Sequence, residues 1–240
     1  MEERQEKLRF GELTSSISND QKKVGQVEYL GHIISGEGVR TDPKKVEAMV
    51  NWPKPMNLKA LRGFLSLTGY YRQFVKGYGI ISRPLTNLLK KGNFKCDEEA
   101  EAAFEKLKEA VSTVPALGLL DFNEPFILET DACGVSVRAV LMQKGRPLAF
   151  LSQALSARHL GLSIYEKEFL AVLMAVERWR HYLEGGKFII KTDHESLQFL
   201  LQHKLQTQLQ KRGMTQVGKG KYSCRCIIKV SREKQCGNHY

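Results

Sequence analysis

Long hydrophobic runs are missing from this chain of 240 residues. None approaches the roughly 18 apolar residues of a membrane span, so no membrane association is expected. The first residues, Met1-Glu2-Glu3-Arg4-Gln5, are charged, and an apolar secretory segment is not expected. Cysteine is scarce as well. The five cysteines (Cys96, Cys133, Cys224, Cys226 and Cys236) are too few and too unevenly spaced for a disulfide framework. They fit a reducing, intracellular compartment, cytoplasmic or nuclear. Internal repeats are absent from the sequence.

What is present is ordinary for a folded chain. Apolar residues make up 42% and charged residues 26%, which sets aside wholesale disorder. The length suits one large domain or two small ones at about 150 residues each. The formal net charge of +11 is unevenly spread: residues 204–240 hold nine Lys/Arg against one acid, Glu233, and so carry +8. The other 203 residues carry only +3. Charge alone is therefore a weak pointer to nucleic acid.

Four segments follow from the pattern. Residues 1–24 are polar and lack steady periodicity. Residues 25–115 hold a hairpin signal and then helices. Val27 to Ile34 has strand character, and Ser35-Gly36-Glu37-Gly38 is a turn with two glycines able to take positive φ. Asp42-Pro43 opens a helix, Asn57 caps the next over Leu58–Tyr71, Ile80–Leu89 is a smaller one, and Asp97-Glu98-Glu99 starts a fourth running to about Val111. Residues 116–205 change period. Strands are expected over 125–131, 135–142, 146–151 and 187–193, with a long helix over about 163–183 and a short one over 195–202. Strands and helices in this order give an α/β fold. Residues 206–240 form a basic tail, expected to be disordered, with a nucleic-acid-binding arm as the alternative.

Three acids stand out by position. Asp131 and Asp193 each end an apolar strand, the edge where α/β sheets commonly hold ligands, although such residues also serve as caps. Glu168 lies on the long helix. At about 100° per residue it falls inside or at the rim of the stripe made by Val172, Trp179, Ala175, Tyr165 and Leu183. Glu166 and Glu177 fall towards or on the opposite face. A carboxylate on a buried face needs a partner, either a divalent cation or a Lys or Arg. Three carboxylates meeting at one spot would suit Mg²⁺ or Mn²⁺, and two such ions can drive phosphodiester cleavage. Clustered acids also repel, so without metal at least one should have a raised pKa.

These same residues carry a resemblance. Glu129-Thr-Asp131-Ala, Tyr165-Glu-Lys-Glu168-Phe-Leu-Ala and Phe188-Ile-Ile-Lys-Thr-Asp193-His194 resemble the ribonuclease H domain of gypsy-type LTR-retrotransposon reverse transcriptases. Val27 to Ser35, Trp52-Pro53, Leu61 to Leu65 and Gly69-Tyr-Tyr-Arg72 resemble the thumb and connection region of the same Pol polyproteins. The likeness covers about residues 25–205. It implies a ribonuclease H-like mixed sheet with helices, preceded by a mainly helical segment. It also implies hydrolysis of the RNA strand of RNA–DNA hybrids with Mg²⁺ or Mn²⁺, with the rest of a Pol polyprotein as partner in the intact element. Asp131, Glu168 and Asp193 match three of the family's four metal-binding carboxylates.

The departures are equally specific. No Asp-Asp pair occurs, so no polymerase activity is expected from this chain. The segment that holds the family's fourth carboxylate is replaced by the basic tail, which predicts a fold lacking its last strand and helix. Cys133, Val135, Ser136 and Arg138 stand where the family has serine and glycines, and Arg138 could pair with Asp131 in competition with metal. Cys96 stands where the family often has tryptophan. The alternative function is a non-catalytic retrotransposon remnant that at most binds nucleic acid. Arg72, Lys76, Lys211 and Arg212 are candidate nucleic-acid contacts, the first two among interleaved aromatics that could equally be buried. Cys224, Cys226, Cys236 and His239 match neither a zinc finger nor a zinc knuckle.

Overall fold

The computed structural model describes residues 25–90, 94, 97–183, 188–193, 197 and 226–230. Two compact units divide the chain: residues 1–120 with 148–154, and residues 121–147 with 155–240.

The first unit opens with a three-stranded antiparallel sheet of β1 (Val27–Tyr29), β2 (His32–Ser35) and β3 (Gly38–Thr41). The sequence suggests a single strand over 27–34. Instead the chain reverses at Leu30-Gly31, where both residues take positive φ (49° and 74°), and β1 folds back on β2. Two successive positive φ values give the tight reversal that matches strand twist. The Gly36-Glu37 turn stands where expected, with Gly38 at positive φ.

Helices follow: α1 (Pro43–Val50), α2 (Leu58–Tyr70), α3 (Tyr78–Ile81), α4 (Arg83–Asn87) and α5 (Glu98–Ser112). The expected caps are in place. The Asp42, Asn57 and Asp97 side chains accept from the N–H of Lys44, Ala60 and Ala100. The single helix expected over 80–89 is two short ones, because Pro84 sits in the first turn of α4 and offers no N–H to a continuing helix. Two apolar clusters hold this unit. One gathers Ile34, Met49, Tyr71 and Phe74; the other gathers Leu61, Phe64, Phe104 and Leu107. Tyr71 and Phe74 are thus core, whereas Arg72 and Lys76 between and beside them are exposed.

The second sheet has five strands in the order β6-β5-β4-β7-β8. These are β4 (Phe126–Cys133), β5 (Ser136–Gln143), β6 (Arg146–Ala154), β7 (Phe188–Thr192) and β8 (Cys226–Val230). Strand β4 runs antiparallel to β5 and parallel to β7, and β7 runs parallel to β8. Helix α6 (Ala157–Leu160) leads into α7 (Ile164–Arg178), which packs on β4 and β5, and α8 (Arg180–Leu183) follows. Ser163 and Glu166 form a capping box at the start of α7. The helix breaks at Trp179, where neither glycine nor proline marks the break in the sequence. Its own Phe169, Ala171, Val172 and Ala175 are buried. Burying a side chain such as Phe169 stabilises by about 1.5–3 kcal/mol.

Strand β8 corrects the sequence reading. The tail was expected to be disordered and the last strand missing, yet residues 226–230 pair with β7 from Phe188↔Cys226 to Thr192↔Val230. The reason is local. Cys226-Ile227-Ile228-Lys229-Val230 is the tail's one β-rich run, and β7 without it would present a bare row of N–H and C=O groups. The residues after β8, which bear on the last helix expected to be missing, and Cys96, Cys224 and Cys236 lie outside the described residues.

Candidate metal centre

The parallel register of β4 on β7 builds the site. Glu129 lies opposite Lys191, and their side chains pair at 3.0 Å. Two residues further on come Asp131, on the same face of β4 as Glu129, and Asp193, just past the end of β7. Helix α7 brings the third acid. Glu168 faces the sheet and is only 3% exposed. Asp131, Glu168 and Asp193 each offer a carboxylate oxygen, and these oxygens all lie within 4.8 Å of one another. Burial is graded across the group: Glu168 is buried, Asp131 half-buried and Asp193 exposed, so the cluster opens to solvent on the Asp193 side. The two remaining acids of α7 stay out of it. Glu166 serves the capping box and Glu177 is exposed.

Each acid is held differently. The Ala132 N–H donates to Glu168 Oε1 at 2.9 Å. Glu168 Oε2 is buried and has no hydrogen-bond partner among the described residues. Burial pushes the Glu168 carboxyl up to about 7. The Ala132 hydrogen bond and Arg138 oppose the rise, and the Asp193 and Asp131 carboxylates add to it. The raised pKa expected from crowded acids is therefore present, but desolvation contributes more than repulsion.

Asp131 is already engaged. Arg138, its cross-strand partner on β5, donates through Nη2 to Asp131 Oδ2 at 2.5 Å. Both side chains are sheltered, at 28% and 20% exposure. Two residues on, Cys133 and Ser136 close the β4–β5 hairpin, with Sγ and Oγ 3.0 Å apart. Burial acts to raise the Cys133 thiol. The Ser136 hydroxyl, the N–H groups of Val135 and Ser136, and Arg138 outweigh it and leave the thiol below its usual value. Lys167 of α7 donates to the Gly134 carbonyl at 3.1 Å, tying the helix to this hairpin.

The donor set fits a hard divalent cation on two counts. All three donors are carboxylates, which suit Mg²⁺ or Mn²⁺. The orphaned Oε2 of Glu168 is also a buried polar atom that needs either a proton or a cation. Arg138 works in the other direction, since it occupies one oxygen of Asp131.

The three acids singled out in the sequence thus come together. Of the candidate nucleic-acid residues, Arg72 and Lys76 belong to the first unit, and Lys211 and Arg212 lie outside the described residues, as do His194 and the short helix expected over 195–202 apart from the buried Leu197. Sequence reading missed the Glu129–Lys191 pair and the Ala132 hydrogen bond. The first had a signal, in that both residues lie two positions before an aspartate. The second had none, because it joins residues 36 apart in sequence.

Comparison with known proteins bears on the same region. Residues 121–216 match the RNase H-like domain found in reverse transcriptase. The chain is 42% identical over 177 residues to the retrovirus-related Pol polyprotein from transposon 297 of Drosophila melanogaster, covering 73% of this chain and 17% of that protein. It is 36% identical over 187 residues to the Pol polyprotein from transposon gypsy of the same organism, covering 72% of this chain and 18% of the relative. It therefore spans less than a fifth of either polyprotein. Among solved structures, a foamy viral protease-reverse transcriptase in complex with RNA/DNA hybrid superposes with a TM-score of 0.75 at 20% identity, over 86% of this chain and 29% of that one. At that identity the likeness speaks for the fold.

Proposed function

This chain belongs to the retrotransposon Pol polyproteins and carries their RNase H-like domain, and on that premise we propose that it hydrolyses the RNA strand of RNA–DNA hybrids in a divalent-metal-dependent reaction. The observation that carries the reading is the meeting of Asp131, Glu168 and Asp193 within 4.8 Å, with a buried Glu168 oxygen that has no partner among the described residues. Mg²⁺ or Mn²⁺ held there, as two ions in the mechanism the resemblance implies, would activate a water and stabilise the leaving oxygen of a phosphodiester.

The chain's own groups supply the rest. The Ala132 N–H fixes the orientation of the Glu168 carboxylate, so that little ordering is left for the moment of ion binding. The Glu129–Lys191 pair ties β4 to β7 just below the aspartates and holds their spacing. The exposed position of Asp193 leaves the cluster open on the side from which a phosphate could approach. RNA–DNA hybrid is the proposed substrate, and the rest of a Pol polyprotein the proposed partner. No polymerase activity is proposed for these 240 residues, which contain no Asp-Asp pair.

One observation favours a second reading, a non-catalytic remnant: the Arg138 guanidinium holds Asp131. A single assay separates the two. Hybrid labelled on its RNA strand is incubated with Mn²⁺ and either the wild-type chain or Asp193→Asn. Cleavage by the wild type alone supports the nuclease. Equal behaviour of the two chains supports the remnant.

A further inference from the structure

We propose that Arg138 is a resident cation of the carboxylate cluster, so that the free protein takes up one divalent ion rather than two. The proposal rests on the metal-centre reading above and concerns how many ions the site accepts and how tightly.

With all three acids ionised, as ion binding requires, the described carboxylates and the guanidinium sum to −2. One divalent ion neutralises this charge. A second would leave +2 in a site walled by β4, β5 and α7, with no further carboxylate supplied by the described residues. Geometry points the same way. Arg138 is not a distant surface charge; it sits directly across the β4–β5 ladder from Asp131 and donates to it at 2.5 Å. Its planar, always-charged head can neither be deprotonated nor be displaced without loss of that pair. The buried Glu168 Oε2, carried by α7, has no partner among the described residues. One ion is therefore directed to Glu168 and Asp193, and the Asp131 side is filled by the arginine. A second ion then waits on the negative charge that a bound phosphodiester would bring.

The size of the effect follows from Coulomb's law. A single and a double positive charge about 5 Å apart repel enough, even at the dielectric constant of bulk water, to weaken ion binding about tenfold. Partial burial enlarges this.

The test is a Mn²⁺ titration of the full chain without nucleic acid, followed by the electron paramagnetic resonance of free Mn²⁺. Wild type, Arg138→Gln, Arg138→Lys and Asp193→Asn are compared, with far-ultraviolet circular dichroism as the check on folding. The expected result is one ion per wild-type chain, binding about tenfold or more tighter in Arg138→Gln, and wild-type affinity in Arg138→Lys, which keeps the charge. Two ions on the wild type would overturn the proposal, and this count decides even if Arg138→Gln fails to fold. So would equal affinity of Arg138→Gln and wild type; if Asp193→Asn then abolishes binding, the metal centre itself stands. No Mn²⁺ binding by any chain overturns this proposal and the metal-centre reading together.

Discussion

Replacing Glu168 by glutamine should stabilise the metal-free protein, and only at high pH. Folding buries this carboxyl and raises it from the model-peptide value of 4.5 to about 7. Below pH 4.5 it is protonated in both the folded and the unfolded chain, and burial carries no charge penalty. Between pH 4.5 and 7 the unfolded chain releases the proton while the folded chain keeps it, so stability falls as pH rises. Above pH 7 the loss levels off. Each pKa unit is worth about 1.4 kcal/mol, so the full loss is about 3 kcal/mol. Glutamine carries no charge, keeps an oxygen for the Ala132 N–H, and turns an amide N–H₂ towards the neighbouring aspartates. The assay is urea denaturation in EDTA on a Trp52→Phe background, which leaves Trp179, buried at the end of α7, as the reporter. Glu168→Gln should gain about 2–3 kcal/mol at pH 8 and close to nothing at pH 4.5. A variant that loses stability at pH 8, or whose effect does not change with pH, would refute the reasoning.

Other outcomes follow from the same structure. His32, stacked between Tyr70 and Phe74, is lowered to about 4 by burial; the unfolded chain takes up its proton first as pH falls, so the first unit should lose about 3 kcal/mol between pH 6.5 and 4, a slope that His32→Phe should remove in urea melts followed by Trp52 on a Trp179→Phe background. Ile228→Pro disfavours the pairing of β8 with β7, and hydrogen exchange should then be faster along β7 between Phe188 and Thr192; unchanged protection throughout β7 would contradict the pairing. A Cβ added at Gly79 would collide with the backbone carbonyl of Ser152, so Gly79→Ala should cost about 1–3 kcal/mol in thermal or urea unfolding. Saturating Mn²⁺ should raise the melting temperature of the wild type but not of Asp193→Asn.

Local signals carried much of this structure in plain view. Caps at Asp42, Asn57 and Asp97 were legible because a short polar side chain before a periodic apolar stretch has one favourable use. Glu168 could be told from Glu166 by helix period alone, and Arg138 was legible as a partner of Asp131 once the two strands were placed as a hairpin. What was hidden depended on distant pairing. Strand β8 reads as a fragment of a basic tail until β7 supplies its partner, 38 residues earlier in the register. The reversal at Leu30-Gly31 was hidden for another reason: Gly31 alone signals it, and leucine is disfavoured at the positive φ that Leu30 takes. The pairing of Glu168 Oε1 with the Ala132 N–H arises only when α7 docks on β4.

The central claim is that three carboxylates from β4, α7 and the end of β7 form one binding site for a divalent ion. Crystals of the protein soaked in Mn²⁺ and measured at the manganese absorption edge test it most directly. The account predicts an anomalous peak at about 2.1–2.3 Å from oxygens of Glu168 and Asp193 and beside Asp131. Soaked crystals with no peak among these residues, and Arg138 still seated on Asp131, would contradict it.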